Sequence, residues 1–187
     1  MKTAPNLVLV GPMGAGKSSI GKRLAGRFGL AFVDADREIE RRTGASVTTI
    51  FACEGEPGFR ARESATLADL LQGADQVIAT GGGAVLDADN RRHMRDRGFV
   101  VHLQVSLQRQ LERLARDRTR PLLAGDDREA VLQRLSAQRA PLYAEVADLV
   151  LDTDRLFPPQ AALQLARQLE AAWTRDGVAA RAPGNAA

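Results

Sequence analysis

One cysteine, two histidines and three lysines are spread over 187 residues, and only 4% of the chain is aromatic. A single cysteine closes no internal disulfide, so Cys53 is not part of a secreted, disulfide-stapled scaffold and fits a reducing compartment. His93 and His102 have no second ligand at metal spacing, which removes a zinc-type site. The shortage of aromatics removes the stacking platforms on which single-stranded nucleic acids are held. The cluster Arg91, Arg92, Arg95 and Arg97 then reads as a solvated helix face, and no nucleic-acid partner is expected. The apolar run near the N-terminus, Leu7 to Val10, stops at Gly11, far short of a signal-peptide core or a membrane span. The expectation is a cytoplasmic protein without a membrane partner.

What is present is 44% hydrophobic and 26% charged with a net charge of +3, the balance of a globular domain with one substantial core. Short apolar runs at Asn6 to Val10, Ala31 to Asp34, Gln76 to Thr80, Phe99 to Val105 and Asp148 to Asp152 alternate with helical patterns. Strands apolar on both faces belong to a parallel sheet, so the pattern predicts a three-layer α/β domain over residues 1–173. Gly29 and Gly44 mark helix C-termini, Ser106 caps a helix carrying Leu107, Leu111 and Leu114 on one face, and Pro158 and Pro159 open the last helix. Residues 119–127 carry Pro, Gly and charge between two helices, a loop long enough to move. Residues 174–187 lack an apolar period and are expected to be a disordered tail.

Residues 11–18, GPMGAGKS, fit G-x-x-x-x-G-K-[ST] directly after a predicted strand and opening a predicted helix. This is a strong signal for a phosphate-binding P-loop. Its glycines let the backbone amides of Gly14, Ala15, Gly16, Lys17, Ser18 and Ser19 turn towards phosphate oxygens at a helix N-terminus. Lys17 supplies a point charge to the β- and γ-phosphates of a nucleotide, and the Ser18 hydroxyl is placed to ligate one Mg²⁺.

A P-loop alone leaves kinases, GTPases and ATPases open. No N-K-x-D run for guanine is present, and no strand ends in the Asp-Glu pair of water-activating ATPases. The second strand ends VDAD, and period-two alternation places Asp34 and Asp36 on one side of an extended segment. At the C-terminal rim of a parallel sheet both can reach the phosphate site, one holding Mg²⁺ and the other beside an acceptor hydroxyl. An N-cap and a solvated turn residue is an equal reading of the same pair.

The ordered run GPMGAGKSSIGKRLA, FVDAD, IFACEGEPGFRARE, GGGAV, RTRPLLAG and RAPLYAEVA resembles the shikimate kinase family over about residues 6–170. The resemblance implies a P-loop NTPase fold with a five-stranded parallel sheet, a mobile lid and a substrate-binding subdomain. It implies a kinase that takes ATP and shikimate, and since no long apolar surface stripe remains unassigned, a monomer is expected. By that resemblance Asp34 helps Ser18 hold Mg²⁺, Asp36 binds the shikimate hydroxyls and orients or deprotonates the attacking one, and Arg60 and Arg139 bind the shikimate carboxylate. The backbone of Gly81, Gly82 and Gly83 approaches the ring, Glu63 supports the arginines, Arg120 reaches the phosphates from the lid, and Arg155 lies near the adenine. Arginine suits a planar carboxylate through its two-pronged fork. Pro57 and Gly58 are expected to make the start of the Arg60 helix a turn. A kinase for gluconate or a nucleotide is the alternative within the class, and a catalytically inert nucleotide switch the alternative outside it.

Overall fold

The computed structural model describes residues 1–115, 117, 121–123 and 127–175. Seven strands run as β1 (Lys2–Thr3), β2 (Asn6–Val10), β3 (Ala31–Asp34), β4 (Gln76–Ala79), β5 (Gly98–Gln104), β6 (Leu149–Asp152) and β7 (Trp173–Thr174). Seven α-helices separate them, α1 (Lys17–Phe28), α2 (Ala35–Thr43), α3 (Val47–Gln72), α4 (Ala88–Arg97), α5 (Leu107–Leu114), α6 (Arg128–Val146) and α7 (Pro158–Ala172). The five-stranded sheet has the order β3-β4-β2-β5-β6 with every pairing parallel. The five expected strands are therefore the sheet, within a residue or so at their ends.

β2 shows why the sheet is central. Leu7 and Leu9 pack with Ile20, Leu24 and Ala25 of α1 and with Leu165 and Leu169 of α7. Val8 and Val10 point the other way, onto Leu67 and Leu71 of α3, Met94 of α4, and Tyr143 and Val146 of α6. Successive side chains of a strand face opposite sides, so a strand apolar at every position is stable only with helices on both faces. Parallel strands end on one rim, and that rim carries the P-loop, Asp34 and the glycine triplet Gly81 to Gly83.

The helix signals hold at Gly29 and Gly44, which cap α1 and α2 in left-handed conformation (φ 64° and 69°), and at Ser106, which caps α5. Other readings change. The break before Arg60 lies at Gly55 (φ 67°), and Pro57 and Gly58 already belong to the helix, because proline at a first turn loses no hydrogen bond. Thr174 is not tail: it pairs with Thr3 in the β1–β7 ribbon, and Trp173 Nε1 donates to the Ala4 carbonyl at 3.0 Å. The rest of the expected tail, from residue 176 on, lies outside the described residues. The arginine cluster on α4 is only partly a solvated face. Arg91 donates to the Val85 and Leu86 carbonyls at 2.8 and 3.2 Å, and Arg97 to the Leu71 carbonyl at 3.1 Å, so both tie α4 to neighbouring segments.

Candidate active site

The loop between β2 and α1 has the backbone its glycines permit. Gly11, Gly14 and Gly16 sit at φ 141°, 79° and 91°, conformations that L side chains rarely adopt. A Cβ on Gly11 would also collide with the Leu103 carbonyl oxygen of β5. Gly16 is the N-cap of α1, so the helix presents free amides to the loop's concave side. Lys17 Nζ reaches back over the loop to the carbonyls of Gly11 and Pro12 at 2.7 and 2.9 Å.

Ser18 and Asp34 meet, with the Ser18 hydroxyl donating to Asp34 Oδ2 at 2.5 Å. Asp34 Oδ1 also accepts the Arg37 amide at 3.4 Å as the N-cap of α2, so the two oxygens of the carboxylate have different partners. Hard oxygen donors in contact beside the P-loop suit Mg²⁺, which takes few protein ligands and completes its shell from water and phosphate. Asp36 does not lie beside Asp34 on one side of an extended segment, contrary to the expectation from the VDAD run. The strand ends at Asp34, and Asp36 stands in the first turn of α2, turned towards the glycine triplet. A Cβ on Gly81 would lie 3.0 Å from Asp36 Oδ1 and would collide with Glu63 Oε1.

The triplet is therefore not only a loop for close ligand approach. Gly81 makes room for two carboxylates. Gly83 makes room for Arg60, whose Cζ would stand 2.5 Å from an added Cβ, whereas a Cβ added to Gly82 would meet Arg139 Nη1 at an ordinary 3.5 Å. Asp36, Arg60, Arg139 and Gly81 to Gly83 are thus brought to one place. Arg60, on α3, holds Glu63 Oε2 at 2.6 Å and Glu56 Oε1 at 2.9 Å. Glu63 is buried, and burial pushes its carboxyl up against the opposing charges of Arg60 and Arg139, with Asp36 adding to the rise. Arg139, on α6, is 4% exposed, and its Nε makes no hydrogen bond. Burial pulls its ionisation below the usual guanidinium range, Tyr143 opposes this, and the charge of Arg60 adds to it.

Arg155 is exposed and lines a separate cavity of about 440 Å³ on the other side of the P-loop, with Gly14, Gly16, Arg113, Phe157 and Pro158. Arg120 and most of the expected lid lie outside the described residues. Sequence reasoning missed Arg113, which donates to the Gly14 carbonyl at 2.9 Å and the Thr153 carbonyl at 2.6 Å and so ties α5 to the P-loop. Nothing in a chain with 23 arginines marks it out. Tyr143 and His102 were also missed as site neighbours. His102 is buried in β5 and stacks on the Tyr143 ring with centroids 4.8 Å apart.

A parallel sheet with a P-loop at its central strand, a Ser–Asp pair beside the phosphate cradle and an arginine-lined cleft facing it define a P-loop phosphotransferase. The particular family follows from comparison: the shikimate kinase profile matches residues 13–170, and the chain belongs to that family. A shikimate kinase of Stenotrophomonas maltophilia (strain R551-3) is 56% identical over 180 residues, covering 96% of this chain and all of the relative. One from Xanthomonas campestris pv. campestris (strain 8004) is 56% identical over 92% of this chain and 96% of its own. Among solved structures, a shikimate kinase from Acinetobacter baumannii in complex with shikimate is 46% identical with a TM-score of 0.83, over 89% of this chain and 91% of that one. The enzyme from Aquifex aeolicus is 30% identical with a TM-score of 0.75, over 89% and 98%.

Proposed function

We infer that this enzyme transfers the γ-phosphoryl group of ATP to the 3-hydroxyl of shikimate, giving shikimate 3-phosphate and ADP. The observation that carries the choice of acceptor is Arg139. A buried guanidinium with no ion pair among the described residues, facing Arg60 across Gly82 and Gly83, is matched by a small acid whose carboxylate enters between them.

In this reading Asp36 receives the proton of the attacking hydroxyl while that oxygen bonds to the γ-phosphorus and ADP leaves. Lys17 and the P-loop amides offset the charge on the phosphates, and the buried Glu63 holds Arg60 in place. Ser18, with Asp34 behind it, would hold one Mg²⁺, which when bound neutralises phosphate charge. Arg120 is assigned to the phosphates on the family resemblance, and Arg155 to the rim of the nucleotide cavity that it lines. The reading places the enzyme in the cytoplasm, where ATP and reduced thiols are found, as a monomer. Among the described residues no helix is long and apolar enough to cross a membrane.

Coupled ADP release with shikimate, its decarboxylated triol, gluconate and a nucleoside monophosphate tests the assignment. Leaving the buried Arg139 guanidinium unpaired typically costs about 2–5 kcal/mol, so shikimate should exceed the triol by roughly 30-fold or more in kcat/KM. Equal kcat/KM for the two would remove the carboxylate clamp.

A further inference from the structure

The chain has one tyrosine, and it stands where α6 meets the glycine triplet. Tyr143 is 3% exposed, one helical turn beyond Arg139. Its hydroxyl donates to the Gly82 carbonyl at 2.5 Å. The Arg139 guanidinium lies beside the same hydroxyl, where the phenol oxygen favours its charge. The ring stacks on His102 at an interplanar angle of 29°, which favours this placement of the phenol. A hydroxyl that must donate to one carbonyl and lies against one guanidinium fixes the distance between them.

That distance matters because of what lies on either side of the bond. Gly82 faces Arg139 Nη1, and the next residue, Gly83, is wedged against the Arg60 guanidinium. Arg60 comes from α3 and Arg139 from α6, and the charge of Arg60 adds to the lowering of Arg139's ionisation. Two like charges on separate helices do not keep a fixed separation by themselves, and a planar carboxylate needs both forks at set angles. The Tyr143–Gly82 bond is a polar link that joins α6 to the loop lying between them. Burial pushes the phenol up to about 12, so it remains a donor across the working range of pH.

We propose that Tyr143 is a positioning residue of the acceptor site, its hydroxyl pinning the Gly82 carbonyl and thereby setting Arg139 and Arg60 at the separation that grips the acceptor's carboxylate. The proposal rests on the acid-clamp reading given above. It differs from mere satisfaction of a buried hydroxyl, which would change stability and leave the balance between the two substrates alone.

The test compares Tyr143→Phe, Arg139→Ala and the double variant, with shikimate affinity measured by calorimetry and KM measured for both substrates. Tyr143→Phe keeps the ring on His102. It should weaken shikimate about tenfold while kcat and the KM for ATP stay within about twofold, the scale expected for one hydrogen bond acting on one site. Because Tyr143 acts through Arg139, the double variant should be within about twofold of Arg139→Ala alone, since residues in one network are not additive. Shikimate affinity unchanged in Tyr143→Phe, or a double variant in which both losses multiply, overturns the proposal while leaving the clamp standing. An Arg139→Ala variant that binds shikimate normally overturns the clamp itself, and the proposal with it. A second measurement needs no substitution: 3-fluorotyrosine incorporation labels this one position. Its fluorine resonance should shift on adding shikimate and not on adding a non-hydrolysable ATP analogue. An unmoved resonance counts against the proposal.

Discussion

The Ser18 hydroxyl and the Asp34 carboxylate, 2.5 Å apart, join the first turn of α1 to the end of the edge strand β3, two strands away in the sheet. The contact orients Ser18 towards the phosphate cradle without using the Asp34 oxygen that caps α2. Asp34→Asn keeps the shape and the cap while weakening the charge-assisted bond. Removing such a supporting group typically costs about 10- to 100-fold in metal affinity or activity. The expected result is a raised Mg²⁺ requirement with an unchanged KM for shikimate, read from activity against Mg²⁺ concentration. An unaltered Mg²⁺ curve would dismiss the metal-supporting role.

Asp36 stands in the first turn of α2, close to Gly81 and to the buried Glu63 carboxylate. If it takes the proton, Asp36→Asn should lower kcat by about 10²- to 10⁴-fold with little change in either KM. A drop of only a few-fold would make Asp36 a binding residue and move proton transfer elsewhere.

Gly83 and Gly26 separate steric need from helix propensity. A Cβ on Gly83 would meet the Arg60 guanidinium, whereas one on Gly26 meets nothing within 4 Å. Gly83→Ala should destabilise by roughly 1–3 kcal/mol and raise the KM for shikimate more than that for ATP. Gly26→Ala, in the interior of α1, should stabilise by about 0.5–1 kcal/mol and leave both KM values alone. Denaturant unfolding alongside kinetics checks both. A harmless Gly83→Ala would mean that Arg60 moves aside freely.

His102 gives a pH dependence of stability. Burial, with the Lys17 charge adding, pushes it down from 6.5 to about 4. Between those values the unfolded chain takes up a proton and the folded chain does not. Stability from this group is therefore present above pH 6.5, falls as the pH drops towards 4, and levels off below. His102→Phe keeps an aromatic ring against Tyr143 and should flatten the slope of unfolding free energy by up to about one proton over this window. Urea unfolding at intervals from pH 4.5 to 7.5 measures it, and an unchanged slope would show that His102 titrates normally.

The local chemistry of this protein was legible in the amino-acid order because it depends on neighbours in the chain. The P-loop pattern, the apolar strand runs and the Gly29, Gly44 and Ser106 caps are short-range devices, and each appears where the order places it. Family resemblance added Arg60, Arg139, Glu63 and the triplet, which no spacing rule connects. What the tertiary structure decided is how separate helices meet. Asp36 reaches the site from a helix and not from an extended strand, Gly81 and Gly83 are small because charged side chains of α2 and α3 pass over them, and Tyr143 bonds to a carbonyl 61 residues away. The β1–β7 ribbon likewise joins the chain's second and third residues to the segment after α7. Two-residue strands carry no periodicity of their own, and neither one arginine among 23 nor a lone tyrosine carries a sign of its partner. Those choices are made by the three-dimensional packing of surfaces distant in sequence, which a pattern of neighbours does not encode.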